Sequence, residues 1–317
     1  MSVVVSGVSV LIPGADSAKA LAAGPEPGAG PVEPAALVGR KGLRYKDRAT
    51  QLGYCLTAAA LADAGLLGED GTVSGGDVGV VVSSNYGNLD TVVRALDTLR
   101  EGTVSATSPM DLPNASSNVI ASSAAIRYGL RGPNLMVCNG ATSGLDAVHW
   151  ATTMITAGRV DRVLVIGVEP DNDVVQRLLG GGHAVDGGAA VVLENAEAAR
   201  ARGARVRAVL GRYVRTAGAG AVLEQLAASG VPAPAWWHLP DTAPEEVDAG
   251  LLPGVERTTL PGHSGRASGA LGVLQCATVV GMFDECGEGP VFVVCGTDAD
   301  DASAGLVLLE PPAPETV

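Results

Sequence analysis

A short apolar run that stops in a small, polar turn and restarts with helical period can build a nucleophile site. The stretch Leu135–Glu169 has that form. Leu135, Met136, Val137 and Cys138 read as the end of a buried strand, and Asn139, Gly140, Thr142 and Gly144 as a tight turn. From Ser143 onward Leu145, Val148, Ala151, Met154 and Ile155 fall on one helical face, and Gly158 closes the helix. Val163–Ile166 is the next buried strand. The first N–H groups of such a helix point at the turn and stabilise an anion there, so the chemistry to expect is covalent attack by an exposed side chain. A strand–helix–strand unit with no chemical role fits the same spacing.

The wording is more specific than the spacing. Ser143-Gly144, Ala147, Gly158, Asp161, Gly167 and Glu169 fall where the β-ketoacyl synthases, of the thiolase-like superfamily, carry their elbow motif. The chain therefore resembles that family. The position of its nucleophilic cysteine is Ala141 here. Cys138 comes three residues too early to take over, and Ser143 belongs to the retained Ser-Gly pair.

The resemblance supplies further positions. Pro261–Val280 is similar to the family's second-histidine stretch, with His263 as the match. The lysine expected five residues earlier is Thr258. The nearest match to the first histidine is His238, in Trp236–Thr242, where a Trp-rich turn fits as well. Cys295–Ala302 lacks the Phe and paired glycines of the family's closing loop. A thiolate that holds the acyl chain and donors that hold a carbanion equivalent are what condensation needs. Without the thiolate, elongation by this chain alone is not expected, and His263 and His238 are read as vestigial.

What the resemblance implies is a chain length factor, the silent ketosynthase β subunit of a type II polyketide or polyene system. It would pair with an active ketosynthase α subunit and shape the acyl tunnel during elongation from malonyl–carrier protein. Met110, Asp111, Leu112 and Asn114, in a segment like the family's Met-Pro-Asn loop, would line or cap that tunnel. Leu135, Met136, Val137 and Cys138 would lie at the dimer face. Two other functions stay open: a stand-alone decarboxylase or acyltransferase using His263, and a non-catalytic homodimer that binds an acyl group or carrier protein. No cofactor and no metal site is expected.

The remaining sequence must position these residues. The 317 residues are 47% hydrophobic and 17% charged, an ordinary globular balance with room for a large core. A net charge of −13 argues against nucleic acid as partner. No apolar run is long enough for a membrane span and no leader is recognised, so a cytoplasmic protein with reduced core thiols is expected. Arg40, Lys41, Arg44, Lys46 and Arg48 make a local basic patch, either a solvated loop or a dock for an acidic carrier protein.

Strands are predicted at Ser2–Leu11, Val78–Val82, Leu135–Cys138, Val163–Ile166, Gly187–Glu194, Val206–Leu210 and Val291–Val294. Helices are predicted at Ala49–Ala64, Leu89–Leu99 and Ala115–Ala125, besides the elbow helix. The resemblance implies an α/β, thiolase-like fold. Two related β-α-β-α-β-α-β-β halves, residues 1–196 and a reduced 197–317, would form an α-β-α-β-α layered arrangement.

Overall fold

The structure is a computed structural model that describes residues 2–74, 77–109, 111–241, 250–285 and 287–311. Met110, Thr242 and Cys286 lie outside the described residues. The strands are β1 (Val3–Leu11), β2 (Val78–Ser83), β3 (Asn134–Val137), β4 (Arg162–Glu169), β5 (Gly187–Asn195), β6 (Ala208–Thr216), β7 (Trp236–His238), β8 (Glu256–Thr258), β9 (Val291–Cys295) and β10 (Ser303–Leu309). The helices are α1 (Ala18–Ala23), α2 (Pro34–Val38), α3 (Arg48–Asp63), α4 (Leu89–Glu101), α5 (Asp111–Asn114), α6 (Val119–Tyr128), α7 (Ser143–Thr156), α8 (Asp173–Leu178), α9 (Ala196–Ala201), α10 (Ala219–Ala227) and α11 (Leu271–Glu285).

Hydrogen bonds join the strands in the order β3-β2-β4-β5-β1-β6-β10-β9-β7-β8. Read outward from the middle, the β1 and β6 arms obey one rule. In each, the first strand meets the fifth, then the fourth, second and third, through two antiparallel and two parallel pairings. The arms meet at a short seam, Val4 opposite Val209 and Val5 opposite Ala208.

The near-continuous valine runs follow from burial on both faces. Along β4, Val163 and Val165 face the central core while Leu164, Ile166 and Val168 face an outer one with α3 and α6. Along β9, Val291, Val293 and Cys295 face the centre, while Phe292 and Val294 join α10 in a third cluster. Helices α7 and α11 fill the central layer: α11 packs on β4, β5 and β9, and α7 on β2, β4 and β10. The layers thus run α3/α6, sheet, α7/α11, sheet, α10, the thiolase-like α-β-α-β-α arrangement.

Three expectations need correction. β6 runs from Ala208 to Thr216 rather than Val206 to Leu210. Its apolar run stops at Gly211-Arg212, but backbone pairing with β10 continues to Thr216. The helix read at Ala115–Ala125 is α6, shifted to Val119–Tyr128 and ended by Gly129 at φ 72°. Finally, Cys138 is not a core thiol: it is exposed, whereas Cys55, Cys276 and Cys295 are buried.

Candidate functional site: a braced elbow with Ala141 at its crest

Strand β3 delivers Asn139 to a single 3-10 turn, Gly140–Thr142, and α7 starts at Ser143. Gly140 has φ 73°, which a side chain would strain, so glycine here follows from the bend itself. Ala141, half-buried at the crest, presents only a methyl group. The Ser143 hydroxyl lies 2.9 Å from both Asn85 Oδ1 and Gly140 O and accepts from Asn139 N–H at 2.6 Å. It is a brace and no replacement nucleophile. Partial burial and the charge of Glu169 push the exposed Cys138 thiol upward, so it stays protonated.

Three polar groups hold the elbow from behind. Asn85, just past β2, donates through Nδ2 to Gly140 O and Ser268 Oγ, both at 2.9 Å, and its Oδ1 accepts from Gly140 N–H at 3.2 Å. Asp146, buried in the first turn of α7, accepts from Asn139 Nδ2 at 2.9 Å, Thr142 Oγ1 at 2.8 Å and the Tyr213 hydroxyl. Arg215 Nε lies 3.5 Å away. Burial and the Asp146 carboxylate hold the Tyr213 phenol far above its ordinary range. Glu169, fully buried at the end of β4, accepts from Asn85 N–H (2.7 Å), Gly269 N–H (2.9 Å), Ser84 Oγ (2.8 Å) and Tyr86 N–H (3.0 Å). Burial raises this carboxyl to about 7, against the four donors, which act to lower it.

The histidines divide. His263 is exposed, and its Nε2 donates to Pro25 O at 3.1 Å. It lines two open cavities, of about 200 and 440 Å³, and neither includes Ala141 in its lining. His183 lines both as well, its Nδ1 held by Asp171 at 2.8 Å. Nothing in the sequence spacing pointed to His183, because its link to His263 is a bridge between Ala184 and Arg266.

His238, the match to the first histidine, lies at the end of a strand and not in the Trp-rich turn that fitted the sequence as well. It is buried on β7, between β8 and β9, with Nδ1 near Leu239 O at 3.3 Å. An inner strand buries both faces, and an imidazole held there serves the core. Burial pulls His238 down to about 4 from an ordinary 6.5. A depressed histidine binds a proton more readily when unfolded, so it withdraws stability as pH falls from about 6.5 to about 4. We expect about 3 kcal/mol to be lost over that interval. Urea titrations across pH should show His238→Leu losing much less in that window, and equal losses in the two proteins would contradict it.

The tunnel and docking residues also divide. Leu112 is exposed, whereas Asn114 is buried, accepts from Lys46 Nζ at 3.1 Å and donates to Tyr45 O at 2.9 Å. Asp111 accepts weakly from Ser108 N–H at 3.3 Å. Leu135 and Met136 are half-buried on β3, which has β2 on one side and ends the sheet. Of the basic patch, Arg40, Lys41 and Arg44 are exposed. Arg48 is not a free cation: it grips Asp186 through Nε at 3.0 Å and Nη2 at 2.7 Å, and donates to Val32 O. Lys46 is held by Asn114 and by Ser123 Oγ at 3.0 Å.

A layered α/β fold with a strand–turn–helix elbow at its centre defines the thiolase-like class. The family model for the β-ketoacyl synthase N-terminal domain matches residues 35–223, and the chain belongs to the β-ketoacyl synthase family. It is 29% identical over 199 residues to 3-oxoacyl-[acyl-carrier-protein] synthase 2 of Vibrio cholerae, covering 53% of this chain and 46% of that protein. It is 30% identical over 202 residues to the granaticin polyketide putative beta-ketoacyl synthase 1 of Streptomyces violaceoruber, 54% of this chain and 48% of the relative. The chain spans about half the length of the curated relatives it matches. The structure of the ishigamide ketosynthase/chain length factor superposes with a TM-score of 0.79 at 22% identity, covering 98% of this chain and 99% of that one, which is a likeness of fold. Among the described residues no helix is long and apolar enough to cross a membrane, and no group of three or more metal-ligating side chains is found.

Proposed function

We propose that this protein is the non-condensing member of a ketosynthase heterodimer, a chain length factor for type II polyketide or polyene synthesis. The observation that carries the reading is the contrast at the elbow. Asn85, Ser143, Asp146 and Glu169 keep the turn and helix in place, yet the position at its crest is Ala141. Each of these buried polar groups would be costly if unmatched, and all are matched, so the elbow is a fixed part of the fold that a partner can be built against.

The surface supports a partner. Helix α4 leaves Leu96 and Leu99 exposed, and Val104 and Leu112 follow at 77% and 79% exposure on the turn and helix beside it. Trp150 on α7 is 47% exposed. Apolar side chains gathered this way favour burial against a second protein. The acyl carrier protein would approach the exposed Arg40, Lys41 and Arg44; Arg48 is spent on Asp186.

Co-expression with a ketosynthase that carries the elbow cysteine tests this. We expect a one-to-one complex in which an acyl adduct, read by intact-protein mass spectrometry, forms on the partner only. Alone, the chain should be poorly soluble. A stable monodisperse monomer, or an acyl adduct on this chain in the partner's absence, would sink the proposal.

A further inference from the structure

A large cavity lies away from the elbow, on the outer face of the first arm. It is an open cleft of about 800 Å³, within the range of small-molecule sites. Leu37 and Val38 of α2, Ile126 of α6 and Leu67 supply its apolar lining. Both Leu37 and Ile126 are exposed, at 57% and 84%.

The polar lining is lopsided in a chain of net charge −13. Lys41, Lys46 and Arg127 converge on the cleft, against one carboxylate, Asp70. Asp70 is already engaged: it accepts from the Thr72 N–H at 2.9 Å and the Thr72 hydroxyl at 2.8 Å, and these bonds hold its carboxyl below the ordinary range. The local field therefore attracts a small anion that the rest of the surface repels.

Arg127 defines the shape of that anion. Its guanidinium lies 4.7 Å from the Tyr54 ring centre and 5.8 Å from that of Tyr128. Its Nη1 and Nη2 donate to Lys41 O and Val38 O, both at 2.9 Å. Two edges of the fork are thus taken up by carbonyls, and one face rests on tyrosine. What Arg127 brings to the cleft lining is charge and a planar guanidinium, a group on which a flat ring can stack. The lysine ammonium groups act as point charges suited to phosphate.

We infer that this cleft binds a nucleotide, its base stacked on the Arg127 guanidinium and its phosphates against Lys41 and Lys46. The inference uses neither the elbow nor the exposed side chains of α4 and α7, so it stands apart from the heterodimer reading and shares only Lys41 with the carrier-protein surface.

Calorimetric titration of the full chain, alone or in its complex, with ADP tests it, with inorganic phosphate and ribose 5-phosphate as probes lacking the base. We expect saturable ADP binding with a Kd of order 10–100 µM, at least about tenfold tighter than either control. Lys41→Glu, a change at an exposed position, should weaken ADP at least about tenfold with the thermal midpoint unchanged. Arg127→Lys keeps the charge and removes the plane, so it should weaken ADP while leaving phosphate binding as it was. Failure to saturate by about 1 mM, ADP no tighter than phosphate, or unchanged affinity in Lys41→Glu would each overturn the inference. So would capture of an acidic carrier protein by this face with no ADP binding.

Discussion

Glu169→Ala is expected to cost about 3–5 kcal/mol of folding stability, measured by urea or guanidinium unfolding. The residue is fully buried, and its two oxygens satisfy three backbone N–H groups and one hydroxyl. Alanine leaves those donors facing a void with no acceptor, and each such orphan costs on the order of 1–3 kcal/mol, not fully additive. Glu169→Gln should cost less, since one amide oxygen remains, and it separates charge from shape. A carboxyl raised by burial binds its proton more tightly when folded, so its contribution to stability falls as pH rises from about 4.5 to about 7. That slope should vanish in Glu169→Gln. It opposes the His238 slope, so the two variants should change the pH profile in opposite senses. A loss below about 1 kcal/mol in the alanine variant would show that Glu169 is not the tie described here.

Gly272→Ala is expected to be at least as damaging, about 4 kcal/mol or more, with soluble protein largely lost. A Cβ at Gly272 would stand 2.4 Å from Leu145 N and 2.7 Å from Gly144 C. One at Gly144 would stand 2.6 Å from Gly272 N. Helices α7 and α11 therefore cross backbone to backbone. Backbone atoms cannot rotate aside as a side chain can, so one helix must move. Helix α7 carries the elbow, and α11 is packed on β4, β5 and β9. Gly158→Ala is a useful contrast: nothing lies within 4 Å of a Cβ there, and its cost comes only from φ 65°, about 1 kcal/mol. Similar losses for the two variants would refute the crossing as the cause.

The strands and the elbow were legible in the sequence because both are local. Valine runs such as Val78–Ser83 report burial on two faces, and the change of period at Ser143 reports the turn. The residue at the crest of the turn, Ala141, is likewise one letter in a recognisable phrase. Partnerships across the chain were not. Asn85 braces an elbow more than fifty positions away, and Arg48 is consumed by Asp186, so a basic run looked more available than it is. Strand β7 was not legible for a related reason: three residues are too few to show periodicity, so a turn fitted Trp236–His238 as well as an inner strand. His183 reaches His263's cavities through a bridge between loops, for which spacing offers no signal.

The placement of β1 at the middle of the sheet has a bearing on how the protein is made. Val3 pairs with Asn195 and Val4 with Val209, so β1 has α3 against one face early but finds its strand partners only about 180 residues or more further along the chain. Until then a strongly β-forming, valine-rich ribbon is open to any other edge it meets. Such distant pairing slows folding and lengthens exposure to self-association. Chaperone dependence, and better yields when synthesis is slowed by cooling, are the practical signs to look for in a cell that makes it.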